Sequence, residues 1–241
     1  MTRTGICTLV FLACLGGLQA QVMVHGRVEV EGGRRSRNVA APSTVVWLTP
    51  LGGNGNELPS VAPITDGSLR LAQKNKSFQP HILVAPVGSV VAFPNNDPFF
   101  HNVFSLFEGK RFDLGLYEAG TSRLVHFDRA GVSYIFCNIH PDMSAVVITL
   151  ATPLYAVSTA AGQLNIANVP YGRYLLHIWS EHGAPEASQT TTREITISES
   201  SATLGVIRVP AVDQRVVAHK NKYGRDYDAP TPDSSVYREQ R

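Results

Sequence analysis

Residues 137–143 read Cys-Asn-Ile-His-Pro-Asp-Met, so the thiol of Cys137, the imidazole of His140 and the thioether of Met143 fall within seven positions. A second imidazole, His101, stands upstream in Phe99-Phe100-His101-Asn102-Val103. Two imidazoles, a thiolate and a thioether are the donor set of a mononuclear electron-transfer copper. Soft sulfur favours Cu(I), and imidazole serves Cu(II) as well. Three strong donors and one long thioether suit both charges, so little rearranges when an electron comes or goes. Taken singly, Cys137 reads as an inert buried thiol, His101 as a core histidine and Met143 as packing. Taken together, the Cys-x2-His-x2-Met spacing and the upstream His favour a metal. Zinc is the nearest rival, yet its sites take nitrogen, oxygen and thiolate donors rather than a thioether.

The site needs elements to position it. The pattern predicts a strand over Ser133–Phe136 that delivers Cys137 at its tip, a tight loop turning at Pro141, and a return strand over Ala145–Leu150. His101 is expected on a second loop, after a strand over Ser89–Phe93. Further strands are expected at Val22–Val30, Thr44–Leu48, Ser68–Ala72, His81–Ala85 and Arg123–Phe127. A later series covers Leu154–Ser158, Gln163–Ile166, Arg173–Trp179, Arg193–Ile197 and Leu204–Val209. No segment keeps a helical period, and Gly, Pro, Asn and Asp clusters separate the runs, so the fold class is all-β. From Pro80 through Phe107 the only charged residue is Asp97. A stretch that apolar must be buried or lie against a site that excludes water.

Composition excludes several classes. Of 241 residues 44% are hydrophobic and 17% charged, which rules out a solvated disordered chain. With 21 basic and 19 acidic residues the chain lacks the basic stripe of a nucleic-acid surface. Residues 1–20 read as a secretory signal: Arg3 opens it, Ile6–Leu15 is its apolar run, and Leu18-Gln19-Ala20 its cleavage site. That apolar run is too short for a membrane span. The expected location is therefore periplasmic or secreted. Cleavage would remove Cys7 and Cys14 and leave Cys137 alone, so no intramolecular disulfide could form.

At the ligand residues the sequence resembles the cupredoxins, the small blue copper proteins. The resemblance runs from Ser77 to Leu150 and includes Phe93-Pro94-Asn95, His101-Asn102-Val103, Phe127-Asp128 and Gly131. The short ligand loop is most similar to the amicyanin type. The resemblance implies a Greek-key sandwich binding one type 1 copper ion through His101, Cys137, His140 and Met143. It also implies that Asn102 ties the two ligand stretches together. Pro141, at the turn of the ligand loop, is the other candidate just outside the ligands. The whole chain resembles bacterial proteins labelled methylamine utilisation proteins, in which such a domain joins a carboxypeptidase-regulatory-like, immunoglobulin- or transthyretin-like β-sandwich. Leu154–Trp179 carries the second pattern, and Gly26-Arg27-Val28 with Val45-Val46-Trp47-Leu48 carries its start.

The copper domain, residues 66–151, is therefore expected to be inserted in a sandwich built from residues 21–65 and 152–210. A tandem arrangement is the alternative. Residues 211–241, without apolar period, are expected to form an extended tail.

The implied function is a periplasmic carrier of single electrons between transient redox partners, such as a cytochrome or a dehydrogenase. No nucleic acid or membrane span is expected. Asp142 stands beside the second His where the family often has an apolar residue, which would suit a partner with a basic rim. An enzyme is not expected: Cys137 is flanked by Phe136 and Asn138, and there is no His-x-His, His-Glu-x-x-His or Gly-x-Ser-x-Gly. A copper-handling or interaction module without carrier function is the remaining alternative.

Overall fold

The computed structural model describes residues 21–31, 43–52, 61–106, 109–181, 190–210 and 219–227. The expected signal, residues 1–20, lies outside them. Among the described residues the fold is all-β. The strands are β1 (Gln21–Val30), β2 (Thr44–Pro50), β3 (Ala72–Lys74), β4 (Ser77–Gln79), β5 (Ile82–Pro86), β6 (Ser89–Pro94), β7 (His101–Ser105) and β8 (Phe112–Tyr117). They continue as β9 (Ser122–Phe127), β10 (Gly131–Cys137), β11 (Ser144–Leu150), β12 (Tyr155–Val157), β13 (Gln163–Pro170), β14 (Gly172–Ser180), β15 (Thr190–Ile197) and β16 (Thr203–Val209).

One set of sheets holds the candidate ligands. A five-stranded sheet runs β5-β11-β10-β7-β8, accompanied by the pairs β6-β9 and β3-β4. Their common core joins Leu71, Phe78, Val91, Phe93, Val103, Phe127, Ile135 and Val147 with Cys137 and Met143. The other set pairs strands from the two ends of the chain. Its sheets run β13-β1-β16 and β12-β2-β14-β15. Thus β1 and β2 hydrogen-bond with strands that all follow residue 152. Val24, Val46, Leu48, Leu164, Tyr174, Leu176 and Ile207 fill the core between them.

The period-two alternation of β10 and β11 gives the five-stranded sheet two buried faces. Ile135, Cys137, Ala145 and Val147 enter the ligand-bearing core. Their neighbours Tyr134, Phe136, Val146 and Ile148 point the other way and pack with Val45 and Trp179 of the second set. A sheet buried on both sides needs apolar residues at successive positions, which is why these strands are almost continuously hydrophobic.

The strand expected over Ser68–Ala72 is reduced to a single bridge of Arg70 with Ala92, and β3 begins only at Ala72. Three further strands differ from the expectation. His101 opens strand β7 rather than lying on a loop, and all five residues of β7 are buried. Ser77–Gln79 and Phe112–Tyr117 form strands where none was expected, the latter around Gly115 at φ +66°. Part of the expected tail is also ordered against the fold, as residues 219–227 lie close to the ligand loop.

Candidate metal centre

Pairing of β10 with β7 sets Cys137 opposite Val103, two residues from His101. The ladder continues past the strand end, where the Asn138 amide donates to the carbonyl of Asn102 at 2.8 Å. On the other side the Cys137 amide donates to the carbonyl of Met143 at 3.1 Å. The Met143 amide in turn donates to the carbonyl of His140 at 3.1 Å, closing the turn over Pro141 and Asp142. The loop is held by backbone bonds at both ends. His140 has little freedom to swing away.

Three donor atoms converge as a result. Nδ1 of His101 and Nδ1 of His140 each lie 3.5 Å from the sulfur of Cys137. The three donor atoms all lie within 4.8 Å of one another. Nitrogen and sulfur bound to one transition-metal ion at about 2.0 and 2.3 Å, at tetrahedral to trigonal angles, stand about 3.5–3.7 Å apart. The spacing fits a common ion. Met143 is 1% exposed and packs in the same core as Cys137.

Protonation favours this use of the imidazoles. Burial pushes His101 below its usual value, although the neighbouring Asp97 pulls the other way. Burial, then the charge of His101, takes His140 down to about 4. Both rings are therefore neutral at pH 7, as ligands must be. Burial pushes the Cys137 thiol up, so a cation bound there would have to displace its proton. Phe99 packs near both rings, with centroids 5.3 Å from His101 and 5.6 Å from His140.

The contact of Asn102 with the ligand loop is made by its backbone carbonyl, which accepts from the Asn138 amide. Its side-chain amide donates instead to Asp113 of β8 at 2.8 Å. Pro141 sits at the loop turn, half-buried, with Asp142 exposed beside it.

Sequence reasoning assigned no role to Asp97. Its carboxylate lies 2.9 Å from Nε2 of His101, and both side chains are buried. Two backbone amides, of Asn75 at 2.6 Å and Lys76 at 3.0 Å, also donate to it. Those amides belong to the hairpin turn between β3 and β4, where Asn75 and Lys76 both have φ of 55°. Burial raises the Asp97 pKa, but the hydrogen bonds from Lys76, His101 and Asn75 outweigh it and hold the carboxyl below its ordinary value. The available signal was a lone carboxylate in an apolar run, four residues before a candidate ligand.

No family model and no curated protein matches the chain. Among solved structures, the purple cupredoxin from Nitrosopumilus maritimus is 25% identical, covering 34% of this chain and 96% of its own, with a TM-score of 0.31. A mutant of oxidized amicyanin is 20% identical over 39% of this chain and 96% of its own, at a TM-score of 0.33. A Cu-containing nitrite reductase from Thermus scotoductus is 21% identical over 42% of this chain but 25% of its own, at 0.34. Likenesses at this level leave the chemistry of the site to its own donor atoms.

Proposed function

We propose that the protein binds one type 1 copper ion and carries single electrons between periplasmic redox partners. His101, Cys137 and His140 are the strong ligands in this reading, and Met143 supplies a weak fourth. The convergence of two neutral imidazole nitrogens on one buried sulfur, at 3.5 Å each, carries it. Copper would supply the one-electron couple. The protein's own part is to hold the donors still: β7 and β10 fix His101 and Cys137, and the bonded loop fixes His140. A frame that stays rigid through a change of metal charge keeps the barrier to electron transfer low.

His140 is half-buried while His101 is fully buried, so the ring of His140 is the natural point of electron exchange with a partner. The exposed Asp142 beside it suits a partner with a basic rim, and the exchange rate should then fall with added salt. The ligand-bearing sheets form a domain inserted in a second sandwich, which serves as its mount. The test is to load the protein with Cu(II) and record visible and EPR spectra, with Cys137→Ser as control. An intense thiolate-to-copper band that is lost in the variant supports the reading. A colourless wild-type protein overturns it.

A further inference from the structure

Residues 219–227 return from the far end of the chain to the ligand loop. The Tyr227 hydroxyl donates to the carbonyl of Cys137 at 2.7 Å. The Lys222 amide donates to the side-chain carbonyl of Asn138 at 2.9 Å. The Lys222 ammonium lies 2.8 Å from a carboxylate oxygen of Asp113, whose other oxygen accepts from the side chain of Asn102. One short segment therefore touches Cys137 and Asn138 directly and reaches the neighbour of His101 through Asp113. Its apolar side is seated as well. The His219 ring lies 4.5 Å from that of Phe136 and 6.3 Å from that of Phe104, and Tyr227 meets His219 edge-on at 5.4 Å.

We propose that residues 219–227 are a clamp on the metal loop, in which Tyr227 and Lys222 are positioning residues that hold Cys137 and its neighbours in ligand geometry. Two physical effects follow. The clamp limits the opening of the loop whether or not a metal is present. The Tyr227 hydroxyl also withdraws electron density from the carbonyl of Cys137 and fixes the backbone from which the thiolate hangs, which tunes the sulfur as a donor. The second effect rests on the copper reading above, and the first does not.

Two measurements separate them. In metal-free full-length protein, amide hydrogen exchange is followed over residues 137–144 for wild type, Tyr227→Phe and Lys222→Met. Loss of one such hydrogen bond should speed exchange there about five- to tenfold and leave β14 unchanged. Unchanged rates in both variants would overturn the clamp. In copper-loaded protein, Tyr227→Phe should shift the thiolate-to-copper band and the reduction potential, and release copper to a chelator about fivefold faster. An unaltered band, potential and release rate would overturn the positioning role, even if exchange had changed. A wild-type protein that takes up no copper would sink the copper reading, and the exchange measurement would still decide the clamp.

Discussion

The Asp97 carboxylate accepts a hydrogen bond from Nε2 of His101 at 2.9 Å, inside the core, and so dictates which ring nitrogen faces Cys137. With the Nε2 proton committed to Asp97, Nδ1 keeps its lone pair and points at the sulfur 3.5 Å away. The same carboxylate is oriented by the β3–β4 turn, so a hairpin remote in sequence sets the tautomer of a candidate ligand. A buried negative charge behind an imidazole also favours the more positive state of any metal in front of it.

Replacing Asp97 with Asn keeps the shape and removes the charge. Asp97→Asn should weaken copper binding about ten- to hundredfold, in the range of other partners of metal-bound histidines. It should also raise the reduction potential. Competition with a chelator of known affinity and a redox titration measure the two effects. Wild-type affinity in this variant would mean that His101 is oriented without Asp97.

Met143 is the candidate ligand with the least geometric support. Leu is close to Met in volume, so Met143→Leu should cost the metal-free protein less than about 1.5 kcal/mol. If the thioether is a weak fourth donor, its loss destabilises the higher charge, and the reduction potential should rise while the thiolate band persists. Voltammetry of both proteins checks this. An unchanged potential would assign Met143 to packing alone.

The alternating strands and the ligand loop were legible because their physics is local. A period of two survives in β1 and β13, each with one face buried and one wet. Strand β7 escaped because burial on both faces removes the alternation that marks a strand. Strand β8 escaped because Asp113 and Gly115 interrupt its apolar run, and the Gly115 amide donates to the Asp113 side chain at 2.9 Å within the strand. Residues 219–227 looked like solvated tail because they are held by single polar groups and two rings, which leave no periodic trace. Asp97 was visible as a lone charge four residues before His101, but its other partners, Asn75 and Lys76, become neighbours only once the sheets are assembled.

Trp179 is fully buried where the two sets of sheets meet, and its indole donates to the Tyr134 hydroxyl at 3.2 Å. Its ring shares a cluster with Phe104 and Phe136, the outer-face residues of β7 and β10. Trp179→Ala should cost about 3–5 kcal/mol by cavity formation. Trp179→Phe, which removes chiefly the hydrogen bond, should cost about 1–3 kcal/mol. Urea unfolding curves measure both. A loss below about 1 kcal/mol for the alanine variant would show that the seam adds little to stability.

His81 bonds across the same boundary, with Nε2 2.5 Å from a Glu181 carboxylate oxygen and Nδ1 3.1 Å from the carbonyl of Ser144. Both nitrogens face acceptors, so the ring satisfies both only when doubly protonated. The hydrogen bond to Glu181 raises the His81 pKa above 6.5, with burial opposing it. Because the folded-state value is the higher one, the stabilisation is complete below the unfolded pKa and is lost as pH rises through the folded one. Buried histidines with lowered values, His101, His140 and His219 among them, tilt the total in the opposite direction. The informative quantity is therefore the difference between wild type and His81→Gln. That difference in Tm should be largest near about pH 5.5, fade by about pH 9, and shrink in high salt because the pair is partly exposed. A difference independent of pH would remove His81 as a charged link between the two sets of sheets.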